Sequence, residues 1–253
     1  TDVDTDATND ANSRSNKLWH WINMSSWVQE QYQGDSSKYV VRGHSSARCS
    51  SVCYFYGILG DLSSTIVGWR PVLEVLNTDP LIAGHNDGDI VKFGTLYVNG
   101  IKQKRPLNPV YGGDIPEYSS GSIEIRDTDS DDAYKIQWVL ATDPETGKKL
   151  LIADRNILSF VSWDKLNGQN LVSGKDITID SSSFKIRLLT GGSDYKDSSN
   201  PYAGASNLNN EWDQIINRGD GIEPSYQIDK IYNADDQSKY GSWFTVFYAK
   251  SLY

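Results

Sequence analysis

From residue 89 onward apolar and polar positions alternate in short runs, the pattern of half-buried strands. Val91 to Val98 predicts a strand. Asn99-Gly100 is the strongest hairpin signal in the chain, with a return through Ile101 to Lys104. Ser122 to Arg126 and Tyr134 to Leu140 alternate in the same way. In Asp143-Pro144-Glu145-Thr146-Gly147 the proline sets φ and the glycine supplies a positive φ, so a turn is expected and Leu150 to Ala153 closes a second hairpin. The stretch 89–150 therefore predicts a small antiparallel β subdomain. Downstream, Ile177 to Asp180 and Phe184 to Leu189 predict strands leading into Gly191-Gly192. Ser242 to Ala249 is apolar on both faces, as a central or sandwiched strand is.

Helical spacing occurs twice. Trp21, Met24 and Val28 fall on one face of a short helix expected within Trp19 to Gln31. Trp212, Ile215 and Ile216 form an apolar stripe behind Asn209 or Asn210, either of which can cap a helix that begins near Glu211. Ser36 to Tyr56 and Ile66 to Val75 predict strands separated by a polar, glycine-containing loop. No repeat recurs at a fixed period.

Composition narrows the class. The chain has 253 residues, enough to bury a substantial core as one large domain or two small ones. Its hydrophobic fraction is only 38%, yet it carries 8 Trp and 15 Tyr, so aromatic residues stand in for aliphatic ones. That balance suits a β-rich protein and argues against a helical bundle. A net charge of −9, with no basic cluster among the aromatics, excludes nucleic acid as a natural partner. No apolar run approaches the roughly 18 residues of a membrane-spanning helix. Thr1 opens an acidic, polar segment to residue 18, which fits a processed form or an internal segment and is expected to order only by docking.

The most informative residues lie between Tyr39 and Glu74. Val41-Arg42-Gly43-His44-Ser45-Ser46-Ala47-Arg48 is followed by a patch reaching Tyr56, and then by Val67-Gly68-Trp69-Arg70-Pro71-Val72-Leu73-Glu74. Gly43 and Gly68 suit positions where a Cβ would be blocked. Trp69 offers a large buried surface, and the planar fork of Arg70 can clamp carbonyls or a carboxylate. Upstream stand Trp19-His20-Trp21 and Ser25-Ser26-Trp27-Val28-Gln29-Glu30. Far downstream come Ile152-Ala153-Asp154-Arg155-Asn156, Val161-Ser162-Trp163-Asp164, Leu188-Leu189-Thr190-Gly191-Gly192 and Asn209-Asn210-Glu211-Trp212-Asp213. This set resembles a C-type-lectin-like module of two related groups, the formylglycine-generating-enzyme-like proteins and the variable proteins of diversity-generating retroelements. The halves stand in inverted order, with the closing half first. Circular permutation, excision from a tandem array and exchange of halves between protomers each account for that order.

The resemblance implies two functional expectations. In the retroelement-variable branch the patch before the final strand displays residues that change without disturbing the fold. Here it offers Ser46, Arg48, Ser50, Val52, Tyr54 and Tyr56 as ligand-binding candidates. Tyr and Arg suit that role because they make rigid, amphipathic contacts. In the formylglycine-generating branch, two cysteines after an Arg-Gly-Gly element bind copper and oxidise a substrate cysteine. Cys49 and Cys53 lie in the comparable region, but His44 replaces the second glycine and the pair is more closely spaced than in that branch. On a strand these cysteines would be about 13 Å apart, so separately packed thiols are expected rather than a disulfide.

Other candidate chemistry is weaker. Asp127-Thr128-Asp129-Ser130-Asp131-Asp132 alternates carboxylates but lacks the glycine and glutamate of an EF-hand, so a solvated turn is expected. His20, His44 and His85 sit in unrelated contexts. No catalytic residues and no cofactor are assigned.

The expected fold is α+β and β-rich. It comprises an acidic segment (1–18), the closing half of a C-type-lectin-like module (19–80), an antiparallel β subdomain (81–150), and the opening half with a C-terminal strand (151–253). The expected function is a non-enzymatic binding or structural subunit, extracellular or virion-borne, that recognises a protein or glycan on a cell surface and self-associates. A phage tail-fibre receptor-binding protein and a copper oxidase using Cys49 and Cys53 are the alternatives.

Overall fold

The computed structural model describes residues 24–43, 54–76, 80–107, 113–199 and 204–217. It is β-rich, with thirteen strands in two sheets among the described residues. The first sheet contains β1 (Ser25–Gln31), β2 (Lys38–Arg42), β3 (Phe55–Leu59), β4 (Val67–Trp69) and β11 (Leu158–Ser159). Its order is β11-β4-β1-β2-β3, so β3 is an outer strand; β1 and β4 run parallel and the other pairs antiparallel.

The second sheet takes β5 (Val72–Val75), β6 (Ile90–Val98), β7 (Ile101–Lys102), β8 (Ile123–Arg126), β9 (Lys135–Thr142), β10 (Lys149–Ala153), β12 (Lys175–Ile179) and β13 (Ser182–Arg187). The order is β12-β13-β5-β10-β9-β6-β7, with β8 pairing β6. Asn99 and Gly100 both have positive φ, at 49° and 74°, as the tight hairpin between β6 and β7 requires. The expected turn at residues 143–147 joins β9 to β10, with the Asp143 carbonyl accepting from the Gly147 amide. Strands read from alternation alone thus lie where expected. They do not stand apart, however. β5 pairs both β10 and β13, so the strands β6 to β10 share one continuous sheet with segments on either side.

Two further expectations change. Trp19 to Gln31 is not a helix where it is described, because Ser25–Gln31 is strand β1. Ser25 through Val28 are all buried, since β1 lies between β2 and β4 and is covered on both faces. A spacing of four apolar positions cannot distinguish that situation from a helical stripe. Ile66 to Val75 divides into β4 and β5, which belong to different sheets. Pro71 lies at the break; it has no N–H for a ladder and keeps the preceding residue out of helical backbone. Arg70 is buried there, donating from Nε to the Ala153 carbonyl and from Nη2 to the Asp154 carbonyl, each at 2.8 Å. This is the carbonyl clamp expected of its guanidinium.

One cluster of buried side chains draws on both sheets, joining Trp27, Val41 and Trp69 to Leu73, Phe93, Trp138 and Phe184. Three indoles hold carbonyls across it: Trp27 Nε1 to Val161 at 2.9 Å, Trp138 Nε1 to Phe93 at 2.9 Å, and Trp163 Nε1 to Val28 at 3.0 Å. Trp163 begins helix α1 (Trp163–Asn167), capped by the Ser162 hydroxyl. Gly68 lies so close to Asn156 that a Cβ would fall 2.7 Å from its side-chain carbon. The early and late segments expected to complement each other therefore meet within one chain, through β4–β11 pairing and these indole contacts. The acidic segment 1–18 and the strand expected at 242–249 lie outside the described residues.

Trp69 is fully buried at the junction of the two sheets, so Trp69→Ala should cost about 3–5 kcal/mol. Urea unfolding measures it. A loss under about 1 kcal/mol would place the junction elsewhere.

Candidate binding surface

The surface begins with a buried charge. Arg42 closes β2 and is 0% exposed. Its Nη1 and Nη2 donate to the two carboxylate oxygens of Asp213 at 2.9 and 2.8 Å, a bidentate pair that suits a planar guanidinium. Nη1 also donates to the Gly191 carbonyl at 2.5 Å, and Nε to the Tyr54 carbonyl at 3.0 Å. The guanidinium carbon lies 5.7 Å from the ring centres of both Phe55 and Trp212. Asp213 belongs to a π-helical segment, Trp212–Asn217, preceded by one helical residue, Glu211. Asn210 caps it as expected, its Oδ1 accepting from the Asp213 amide and its Nδ2 donating to Asp213. One arginine thus joins β2, the start of β3, the Gly191 loop and the helical segment.

On this base β3 presents an aromatic surface. Phe55 is buried, Tyr54 half-buried and Tyr56 44% exposed, as expected for alternation along a strand. The Tyr54 and Tyr56 rings lie nearly parallel with centres 6.0 Å apart. Tyr195 meets the edges of three other rings, at 4.8 Å from Phe55, 5.3 Å from Tyr32 and 6.5 Å from Tyr56. Its hydroxyl accepts from the Gly57 amide at 3.2 Å, covering one outward-facing N–H of the outer strand. Burial holds the Tyr195 phenol above its ordinary range, so it stays neutral. Tyr32 packs across Gly57 so closely that a Cβ there would lie 2.9 Å from the ring. The exposed ring of Tyr56 is therefore backed by packed aromatics.

The Gly191 loop is fixed to β1 by a carboxylate. Glu30 Oε2 accepts from the Gly191 amide at 2.8 Å, and Gly192 donates to it as well. Glu30 is half-buried, and the desolvation that goes with it pushes its carboxyl up to about 7, opposed by those amides, while the neighbouring Glu211 charge adds to the rise. Glu211 itself is paired with Arg187, at 2.7 and 2.5 Å.

Of the expected ligand-binding residues, Tyr54 and Tyr56 are brought together, Tyr56 on a strand rather than in a loop. Ser46, Arg48, Ser50 and Val52 lie outside the described residues, as do Cys49 and Cys53. Tyr32, Tyr195 and Glu30 were not anticipated as members of the site. Both tyrosines stand in polar, turn-rich stretches that carry no periodic signal, and only the abundance of tyrosine pointed their way. The acidic run at 127–132 is engaged internally. Asp127 accepts from the Asp180 amide, Asp131 caps a short turn, and Asp129 and Asp132 pair with Lys102 and Lys92. Among the described residues no group of three or more His, Cys, Asp or Glu is placed to hold a metal, and no helix is long and apolar enough to cross a membrane. Compared with protein-family models, curated proteins and solved structures, the chain matches none.

The buried charges can be tested by substitution. Arg42→Met should lose about 3–5 kcal/mol because it strands Asp213 in the interior, and Arg42→Met with Asp213→Leu should lose less than the two single changes combined. A double-mutant cycle by urea unfolding decides; full additivity would mean the pair is not coupled. For Glu30, the folded carboxyl titrates above its ordinary value of 4.5, so its stabilising share is complete below that value and is lost as pH rises through about 7. The melting temperature of the native chain should accordingly fall, relative to Glu30→Gln, between about pH 5 and pH 8. A constant difference across that range would show that Glu30 is not desolvated.

Proposed function

We propose that this chain is a non-enzymatic binding module of an extracellular or virion surface, built on a C-type-lectin-like scaffold. It docks a protein or glycan ligand of a cell surface on Tyr54 and Tyr56, together with Ser46, Arg48, Ser50 and Val52, which adjoin them in sequence. The observation that carries this reading is the exposed Tyr56 ring on an outer strand, stacked beside Tyr54 and braced by Tyr195. A large amphipathic ring already fixed in place gives contact area without the cost of ordering it on binding. The buried Arg42–Asp213 pair supports a permuted module closed within one chain, with no exchange of halves needed to complete it.

The test compares binding and stability in the same variants. Fluorescently labelled chain is applied to immobilised glycans and to intact cells, beside Tyr56→Ala and Arg48→Ala. Both substitutions should abolish capture, and Tyr56→Ala should change stability by no more than about 0.5 kcal/mol, as an exposed side chain does. Capture that survives both changes, or a Tyr56→Ala chain that unfolds as readily as Trp69→Ala, would move the docking surface elsewhere.

A further inference from the structure

We infer that the Glu30 carboxylate and the Gly191-Gly192 amides form a proton-controlled clasp that sets Tyr195 in the aromatic surface, closing as pH falls and loosening as it rises. Glu30 projects from β1 and is held by backbone N–H groups; among the described residues it has no ion-pair partner. The charges on the elements packed around it are already committed. Arg187 is paired with Glu211 and Glu74, and Arg42 with Asp213. Glu211 leaves a second negative charge near Glu30, and Asp194, on the loop itself, accepts from the Tyr195 amide.

The backbone makes the contact specific. A Cβ at Gly191 would fall 2.8 Å from the Val28 methyls and 3.0 Å from Arg42 Cγ, so only glycine lets the loop approach β1 this closely. Gly192 has φ +83°, the left-handed backbone that glycine favours. The docking continues through Gln33, whose amide donates to the Ser193 carbonyl at 2.7 Å, and ends at Tyr195, which bridges to Ala205 and covers the Gly57 amide. Loop and phenol are thus positioned by one continuous set of contacts.

The direction follows from linkage. When the clasp opens, Glu30 gains full access to water and its ordinary acidity; when it closes, partial burial and the nearby Glu211 charge favour the protonated form, with the carboxyl titrating at about 7. The closed state therefore binds more protons and gains as pH falls. The consequence for ligand capture rests on Tyr54 and Tyr56 being the docking surface, but the clasp is read without any ligand.

The experiment is a pH titration of the ¹⁵N-labelled chain by NMR between about pH 5 and pH 9. The amides of Gly191, Gly192 and Gly57 should shift with one shared midpoint at about 7, and Gly57 should lose exchange protection above it. Glu30→Gln should remove the midpoint from all three. Tyr195→Phe should keep the Gly191 titration and remove the Gly57 response. A Gly191 amide with no midpoint in the native chain overturns the clasp, as does a Gly57 response that persists in Glu30→Gln. Neither result touches binding by Tyr56, so the two readings fail separately.

Discussion

The bidentate contact between Arg42 and Asp213 is the constraint on which the surface is built. A guanidinium with no exposure must have every strong donor direction satisfied, because an unpaired charge in the interior costs several kcal/mol. Arg42 meets that demand by gathering groups from three places in the chain: the Tyr54 carbonyl with the Phe55 ring, the Gly191 carbonyl, and Asp213 with the Trp212 ring. Apolar packing could fill the same volume without fixing direction. A planar fork sets angles as well as distances, so it orients the end of β2, the beginning of β3 and the loop that carries Tyr195. The net stability from such a pair is small beside the cost of breaking it, and its value here lies in registering separate segments.

A second constraint concerns how one short segment serves two sheets. Between Trp69 and Val72 the chain leaves the first sheet and enters the second, and Arg70 supplies hydrogen bonds that the break would otherwise leave unmade. It does so by donating to carbonyls at the end of β10 and beyond it. Its own charge is compromised in the process: burial lowers the Arg70 guanidinium to about 10, still high enough to remain charged at neutral pH. The effect is a rigid corner under the shared core.

The second sheet was legible because its signals are local. The Asn99-Gly100 turn, the Asp143–Gly147 turn and period-two alternation each depend on a few neighbouring residues, and each lies where expected. The first sheet was harder. β1 is buried on both faces, which erases alternation, and its apolar spacing imitates a helix. The sheet assignment of β5 was not legible either, since pairing with β10 and β13 is decided by residues 76–80 and 109–115 positions away. At the site, Tyr54 and Tyr56 were readable from residue type and position, and Arg42 from the Arg-Gly pair. Asp213 was visible only as part of a motif, with nothing in the sequence to join it to Arg42 across 171 positions. Glu30 was likewise visible only as part of a motif and Tyr195 was silent, because their roles are created by contacts distant in the chain.

The placement of charge and aromatic area follows one logic. The Arg42 charge beneath the surface is buried and fully engaged, whereas the exposed part is tyrosine, whose neutral ring loses little on desolvation and carries a hydroxyl for hydrogen bonding. On the proposed reading, a ligand meeting Tyr56 need not break that ion pair to bind. Glu30, whose state no partner charge fixes among the described residues, is half-buried on β1 and is joined to the Gly191 loop rather than to Tyr56. Contact and control are thereby separated. The outer ring can be exchanged for another residue without altering the clasp, while a change at Glu30 or Gly191 reaches the surface only through the loop that bears Tyr195.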